Sequence, residues 1–290
     1  MIEDILKEKK YMTAVENKIA EYMLKNKNDL RRQSAHYISS QLFINPSMIT
    51  RFCQKIGFHG YKDFLEEYLK EVEYMQTHFQ DLDPNYPFNN KDKNIVIANK
   101  IGTLYHEIIN DTLELMEHDK LQNVINCLCK SEIIYVYSAG VQADIAQTFK
   151  DKLLKIGKNV VLENRMNELY YRASYCSLNC MFVIISYSGE IESELRGVMK
   201  LKERNIPILA ITSYGKNTLS EKADFVLYVS TRERLKDNLG DFSMNLSTIL
   251  ILDILYVSIF NTDYSKNYHK RISSSKGFEL YRKSNNPKIK

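Results

Sequence analysis

Two serine hydroxyls, Ser186 and Ser188, flank Tyr187 where the apolar run 182–185 gives way to a polar, helix-like pattern, and Gly189 and Glu190 follow directly. Three chemistries suit this arrangement: a nucleophile, a cradle for an anion, or a turn that caps a helix. A serine nucleophile on a strand-to-helix elbow has glycine two residues to each side, and neither serine has that pair. It also needs a base. All six histidines, at 36, 59, 78, 106, 118 and 269, lie outside 119–268, so serine hydrolysis is disfavoured. An anion cradle needs less. A strand that hands over to a helix beginning near Glu190 would turn the N–H groups of Ser188, Gly189 and Glu190 outward at a positive helix end, with both hydroxyls beside them. Simple capping by the serines, with no ligand, is the third reading.

Around these residues the chain of 290 carries 44% hydrophobic and 26% charged residues and few Gly or Pro, the profile of a globular protein long enough for two domains. From 11 to about 74 the apolar residues recur at helical spacing: Val15, Ile19 and Met23, then Ile38 and Leu42, then Ile49, Phe52 and Ile56, then Phe64 and Tyr68. The stretch 77–93 is polar, holds two prolines and has no period, so it reads as a linker. Beyond it, short apolar β-type runs at 133–137, 160–162, 182–186, 208–212 and 225–230 alternate with helical segments. Strands apolar on both faces and separated by helices predict a parallel sheet covered on both sides, whose ligands bind beyond the carboxyl ends of the strands. The expected fold class is α/β: an all-α domain at 1–76, a linker at 77–93, a three-layer domain with a five-stranded parallel sheet at 94–262, and a basic, weakly patterned tail at 263–290.

Within the all-α part, 34–58 reads as two helices joined by a tight turn. Asn45 is a good N-cap, Pro46 suits the first helical position, and Gly57 ends the helix. Ile49, Phe52 and Ile56 share a core face, leaving Ser47, Met48, Arg51 and Lys55 on other faces. A helix with polar and basic groups near its N-terminus suits the major groove, and the Arg51 guanidinium could grip a guanine bidentately. An ordinary solvated helix pair is the alternative.

The string Arg51-Phe52-Cys53-x-Lys55-x-Gly57-Phe58-x-Gly60-Tyr61, preceded by the capped turn, resembles the DNA-binding domain of the RpiR family of bacterial transcription regulators. It departs from that pattern at Asn45, where serine is usual, and at Met48, where threonine is. Such regulators carry a sugar isomerase (SIS) domain, and the second half is similar to one. Ser138-Ala139-Gly140-Val141-Gln142 stands where that family has Gly-x-Gly-x-Ser, and Ser186 to Ile191 matches Ser-x-Ser-Gly-Glu-Thr except for the last residue. The resemblance implies DNA contacts from Ser47, Met48, Thr50, Arg51, Gln54 and Lys55. It implies a sugar-phosphate site at Ser138, Gly140, Gln142, Ser186, Tyr187, Ser188, Gly189 and Glu190. It further implies a double-stranded DNA operator, a homodimer or homotetramer and a non-enzymatic protein; residues 1–10 mix charges of both signs with no apolar core, unlike a secretory signal, so a cytoplasmic location is expected. SIS enzymes isomerise aldose and ketose phosphates with a carboxylate base and an acid. Glu168, Glu190 or Glu194 could be the first, but the second is missing.

No cofactor or metal is expected. The five cysteines, at 53, 127, 129, 176 and 180, have no zinc or disulfide spacing and read as reduced thiols. The apolar run 246–260 is shorter than the ~20 residues of a spanning helix and carries Asp253, so a buried or dimer-facing helix is expected.

Overall fold

The computed structural model describes residues 2–7, 12–27, 29–78, 82–165 and 167–289. The chain forms two compact units, Met1–Leu82 and Asp83–Lys290.

The first unit contains α1 (Ile2–Lys7), α2 (Ala14–Lys25), a 3-10 turn at Asp29–Arg32, α3 (Ala35–Leu42), α4 (Pro46–Lys55) and α5 (Tyr61–His78). The helical period seen in the sequence becomes one apolar centre, with Ile19, Met23, Ile38, Ile49, Phe52 and Phe64 all buried. Phe58 meets Phe64 edge to face and Phe64 stacks on Tyr68, with ring centroids 5.4 and 5.2 Å apart. The carboxylate of Glu71 accepts the N–H groups of Ile2 (2.7 Å) and Glu3 (2.9 Å), so α5 holds the N-terminus of α1.

The turn between α3 and α4 is sharp because both of its sides are capped. On the α4 side Asn45 accepts the N–H of Ser47 at 3.0 Å with Pro46 in the first turn, while Ser34 caps the other, N-terminal end of α3 by accepting the N–H of Tyr37. At the far end of α4, Gly57 (φ 102°) donates to Gln54 O and Phe58 to Cys53 O, a Schellman closure. The same closure ends α3, where Ile44 N–H reaches Ser39 O, but there the left-handed residue is Phe43, with φ 56° and 95% exposed. A left-handed residue with a Cβ costs roughly 1–2 kcal/mol, and an exposed ring recovers little of it. Phe43→Gly should therefore stabilise this unit by about 1 kcal/mol, slowing native-state hydrogen exchange of the α3 and α4 amides about fivefold.

The second unit begins with α6 (Asn94–Glu114) and α7 (His118–Lys130). It continues as β1 (Ile133–Ser138), α8 (Val141–Leu154), β2 (Asn159–Glu163), α9 (Glu168–Tyr175), β3 (Cys180–Ile185) and α10 (Glu192–Glu203). It ends with β4 (Ile208–Ser213), α11 (Thr218–Lys222), β5 (Phe225–Val229), α12 (Phe242–Asn261) and α13 (Tyr264–Glu279). All strand pairs are parallel, in the order β2-β1-β3-β4-β5. Alternate residues feed opposite layers. Val136, Val183 and Ile211 pack with Phe149 of α8 and Leu252 and Leu255 of α12, whereas Tyr135, Phe182 and Ile184 pack with Leu169 of α9 and Val198 and Leu201 of α10.

Two expectations change and a third is met. Residues 79–81 of the expected linker lie outside the described residues, but Thr77 and His78 belong to α5, and 83–93 belongs to the second unit. Buried Asn85 is what fastens that stretch. Its side-chain oxygen accepts Arg234 N–H at 2.8 Å and its carbonyl accepts Leu239 N–H at 3.1 Å. The expected tail is largely α13, started by Asp263 capping Lys266 N–H and tied down by Lys270 Nζ on Ile156 O. The apolar run at 246–260 lies in a 20-residue helix that by length and composition could cross a bilayer. Ile251, Leu252, Leu255 and Ile259 bury it in the core, as expected of a core helix.

Candidate functional site

Strand order 2-1-3-4-5 reverses between β1 and β3, where the following chains diverge to opposite faces of the sheet and leave a crevice at the strand ends. A cleft of about 350 Å³ lies there, lined from β1's end by Gly140 and Gln142 and from β3's end by Ser186, Tyr187 and Ser188. The start of α12 and the loop before it close the remaining side with Glu233, Leu235, Asp241, Met244 and Asn245.

Five of the eight expected ligand residues thus come together, and three do not line this cleft. Ser138 is the last residue of β1 and is buried. Gly189, at φ 64°, packs so closely on α11 that a Cβ would lie 2.1 Å from Asn217 Oδ1, and its carbonyl accepts Leu219 N–H. The Glu190 carboxylate takes the N–H and hydroxyl of Thr218 at 2.7 and 2.8 Å. Gly189 and Glu190 therefore lock the loop onto α11.

The helix after this loop starts at Glu192, two residues later than expected, with Ile191 as an N-cap that offers no side-chain acceptor. Ser188 Oγ accepts the N–H of Glu190 at 3.3 Å, which removes that amide from the expected cradle and makes a local serine turn. The helix-end amides left without a side-chain cap belong to α10 and to α8, whose N-cap is Gly140 at φ 57° and ψ −141°. The third helix end, that of α12, is filled from within. Both oxygens of Glu233 accept from it, Phe242 N–H at 2.8 Å and Ser243 N–H at 2.6 Å. Burial raises the Glu233 pKa and these amides pull it partly back. Tyr187 donates its hydroxyl to Glu233 O at 2.5 Å, and burial pushes its pKa up.

Two polar side chains remain without a fixed partner. Ser186 is 5% exposed, and its Oγ has the Glu194 carboxyl beside it without a well-formed hydrogen bond to it. Gln142 donates from Nε2 to Asn245 Oδ1 at 2.6 Å, leaving its buried Oε1 without a donor. Beside Ser186 sits Glu194, 3% exposed in the first turn of α10. Burial raises its pKa, and the nearby Ser186 hydroxyl offsets part of the rise. Of the cleft-lining residues that the sequence did not single out, Asp241 and Asn245 carry a faint signal, flanking Phe242 at the head of a long apolar run; Glu233 has none.

On α4, Ser47, Met48, Arg51, Gln54 and Lys55 are exposed and Thr50 is half-buried. Lys55 pairs with Glu16 of α2 at 2.8 Å, and Glu16 also closes the capping box of that helix with Thr13. The Lys55 hydrogen bond and the Thr13 amide hold the Glu16 carboxyl below its usual pKa. Gln54 donates to His59 O at 3.3 Å. This leaves Ser47, Met48 and Arg51 as the open edge of α4.

Family models match both units: a helix-turn-helix domain of the rpiR family over residues 1–72 and a SIS domain over 128–258. The chain belongs to the RpiR family of transcriptional regulators. An uncharacterised helix-turn-helix transcriptional regulator of Haemophilus influenzae is 23% identical over 84% of each chain. The solved NanR protein of Vibrio vulnificus, complexed with ManNAc-6P, aligns with a TM-score of 0.62 at 17% identity over 98% of this chain and all of the other. The sugar isomerase domain of an RpiR transcription factor from Sphaerobacter thermophilus aligns at 0.54 and 16% identity, over 61% of this chain and 97% of that one. This RpiR chain has the DNA-binding fold on the first unit and the crevice on the second.

The ionisation of Glu194 gives a test of the cleft. Its folded-state pKa lies above the ordinary 4.5, so the native state holds the proton to higher pH than the unfolded chain does. The resulting destabilisation is absent below about pH 4.5 and complete above the raised pKa. Glu194→Gln should raise the thermal midpoint at pH 8, and the gain should shrink towards zero as the pH falls to 4.5.

Proposed function

We propose that the protein is a sensor-regulator that reads a double-stranded operator with Ser47, Met48 and Arg51 of α4 and takes a sugar phosphate into the cleft between β1 and β3. The observation that carries this reading is the crevice itself. Two helix N-termini without side-chain caps and the unpartnered Ser186 hydroxyl surround it, an arrangement that favours an anion. The bound ManNAc-6P of the NanR structure supports a phosphorylated sugar as the effector class. Catalysis is not part of this reading, because isomerisation would need an acid opposite Glu194 and no histidine or lysine lines the cleft among the described residues.

Exposed Ile249 and Val257 on α12 support pairing of second units into a homodimer or homotetramer, and relatives named as transcriptional regulators support a cytoplasmic location. A route for the signal starts in the same loop. Residues 233–241 contribute Glu233, Leu235 and Asp241 to the cleft, and Asn85 binds this loop through Arg234 and Leu239. The stretch leading to the DNA-binding unit is therefore hydrogen-bonded to the wall of the cleft. A tenfold change in operator affinity needs about 1.4 kcal/mol of differential ligand binding.

Selection of genomic fragments with the full chain should enrich a site, and Arg51→Ala should weaken binding to it by about 1–3 kcal/mol without lowering thermal stability. Unchanged affinity would remove Arg51 from the reading surface. A thermal-shift screen of sugar phosphates should find a stabilising compound whose effect is lost in Ser186→Ala. A shift that survives that change would place the ligand elsewhere.

A further inference from the structure

The polar groups that line the cleft ask for a donor as well as an anion. Glu194, Glu233 and Asp241 put three carboxylates on its walls, and among the described residues no lysine, arginine or histidine lines it. Glu233 is satisfied by the amides of α12, and Asp241 Oδ1 accepts from Asn238 Nδ2 at 3.0 Å. Glu194 is different: it is almost fully buried, and no ion pair to it is formed among the described residues. Gln142 Oε1 faces the same deficit, an acceptor turned away from Asn245 with nothing donating to it. Ser186 Oγ, equally buried, lies beside Glu194 and can offer it a hydrogen bond but no counter-charge. A ligand that was only a phosphate and neutral hydroxyls would satisfy the helix ends of α8 and α10 but would bring a second negative charge beside a buried carboxylate.

We propose that the effector is an amino sugar phosphate carrying a free primary amine, its phosphate held at the N-termini of α8 and α10 and its ammonium held by Glu194 with Gln142 Oε1. This rests on the sugar-phosphate reading of the same cleft. An ammonium supplies three donors to a site rich in acceptors, and it gives Glu194 the counter-charge that the protein does not. N-acetylation would remove that charge, and a hydroxyl in its place would leave the carboxylate unneutralised. Ile191 fits the same picture, since at the start of α10 it adds apolar surface where a hydroxyl would have strengthened an all-anion site.

The test is isothermal titration of the full-length protein and its Glu194→Gln variant, which keeps the side-chain shape and removes the charge. The probes are the 6-phosphates of 2-amino-2-deoxyhexoses in the gluco, galacto and manno configurations, each beside its N-acetyl and 2-hydroxyl counterparts and its unphosphorylated amine. In one configuration the amine phosphate should bind at least tenfold more tightly than both counterparts. Glu194→Gln should cost that compound about tenfold and leave the neutral sugars unchanged or improved. Equal or tighter binding of N-acetyl or hydroxyl sugar phosphates, with no loss in Glu194→Gln, overturns the amine while keeping the sugar-phosphate reading. Unphosphorylated amines that bind as tightly as their phosphates, with the same sensitivity to Glu194→Gln, keep the amine and overturn the phosphate. Failure of every probe to bind overturns both.

Discussion

A parallel sheet can carry its connections on both faces only if the strand order reverses somewhere, and at that point the backbone cannot cover its own edge. Here the reversal falls between β1 and β3. The loops at 139–142 and 186–191 leave the sheet in opposite directions, into helices that pack on different layers. Every other feature of the cleft follows from this divergence. Helix N-termini gather around one crevice, and the α12 end of the chain returns to close it. Which of those termini are already satisfied then determines what can enter. Glu233 occupies the end of α12 from inside the fold, whereas α8 and α10 keep theirs open.

The two glycine-bearing loops divide their work in a way that their sequences do not show. Gly140 opens a helix end towards the cleft. Gly189 is required instead by the close approach of Asn217, and with Glu190 on Thr218 it holds the serine loop against α11. Ser186 is therefore presented from a loop fastened at its far end, so its hydroxyl has few other places to be. A loop fastened in this way has little freedom left to lose, and that lowers the entropy cost of any contact made there.

The strands were legible because both faces are buried: runs such as Phe182 to Ile185 have no polar residue to confuse the pattern, and the β1 and β3 ends fell within two residues of expectation. The helix-turn-helix was legible through its caps, Asn45, Pro46 and Gly57, which act locally. What the sequence hid is long-range or unconventional. Gln142 meets Asn245 103 positions away, Asn85 meets Arg234 149 positions away, and Glu190 turns to Thr218 instead of the cleft. The start of α10 was misplaced because Ile191 gives no capping signal. The helix at 264–279 was missed because its stripe of Tyr264, Tyr268 and Ile272 stays largely exposed and lies among basic residues, so no core-like period marks it.

The ion pair between Lys55 and Glu16 bears on how α4 would meet DNA. A lysine held by a carboxylate of its own domain gives up that pair to reach a phosphate, so its contact contributes less net affinity than that of a free cation. Arg51 is then the cation of α4 free of such internal neutralisation among the described residues. The salt-dependent share of this helix's affinity would then come mainly from Arg51, and discrimination between sequences would rest on the fit of Ser47, Met48 and Arg51 to the groove.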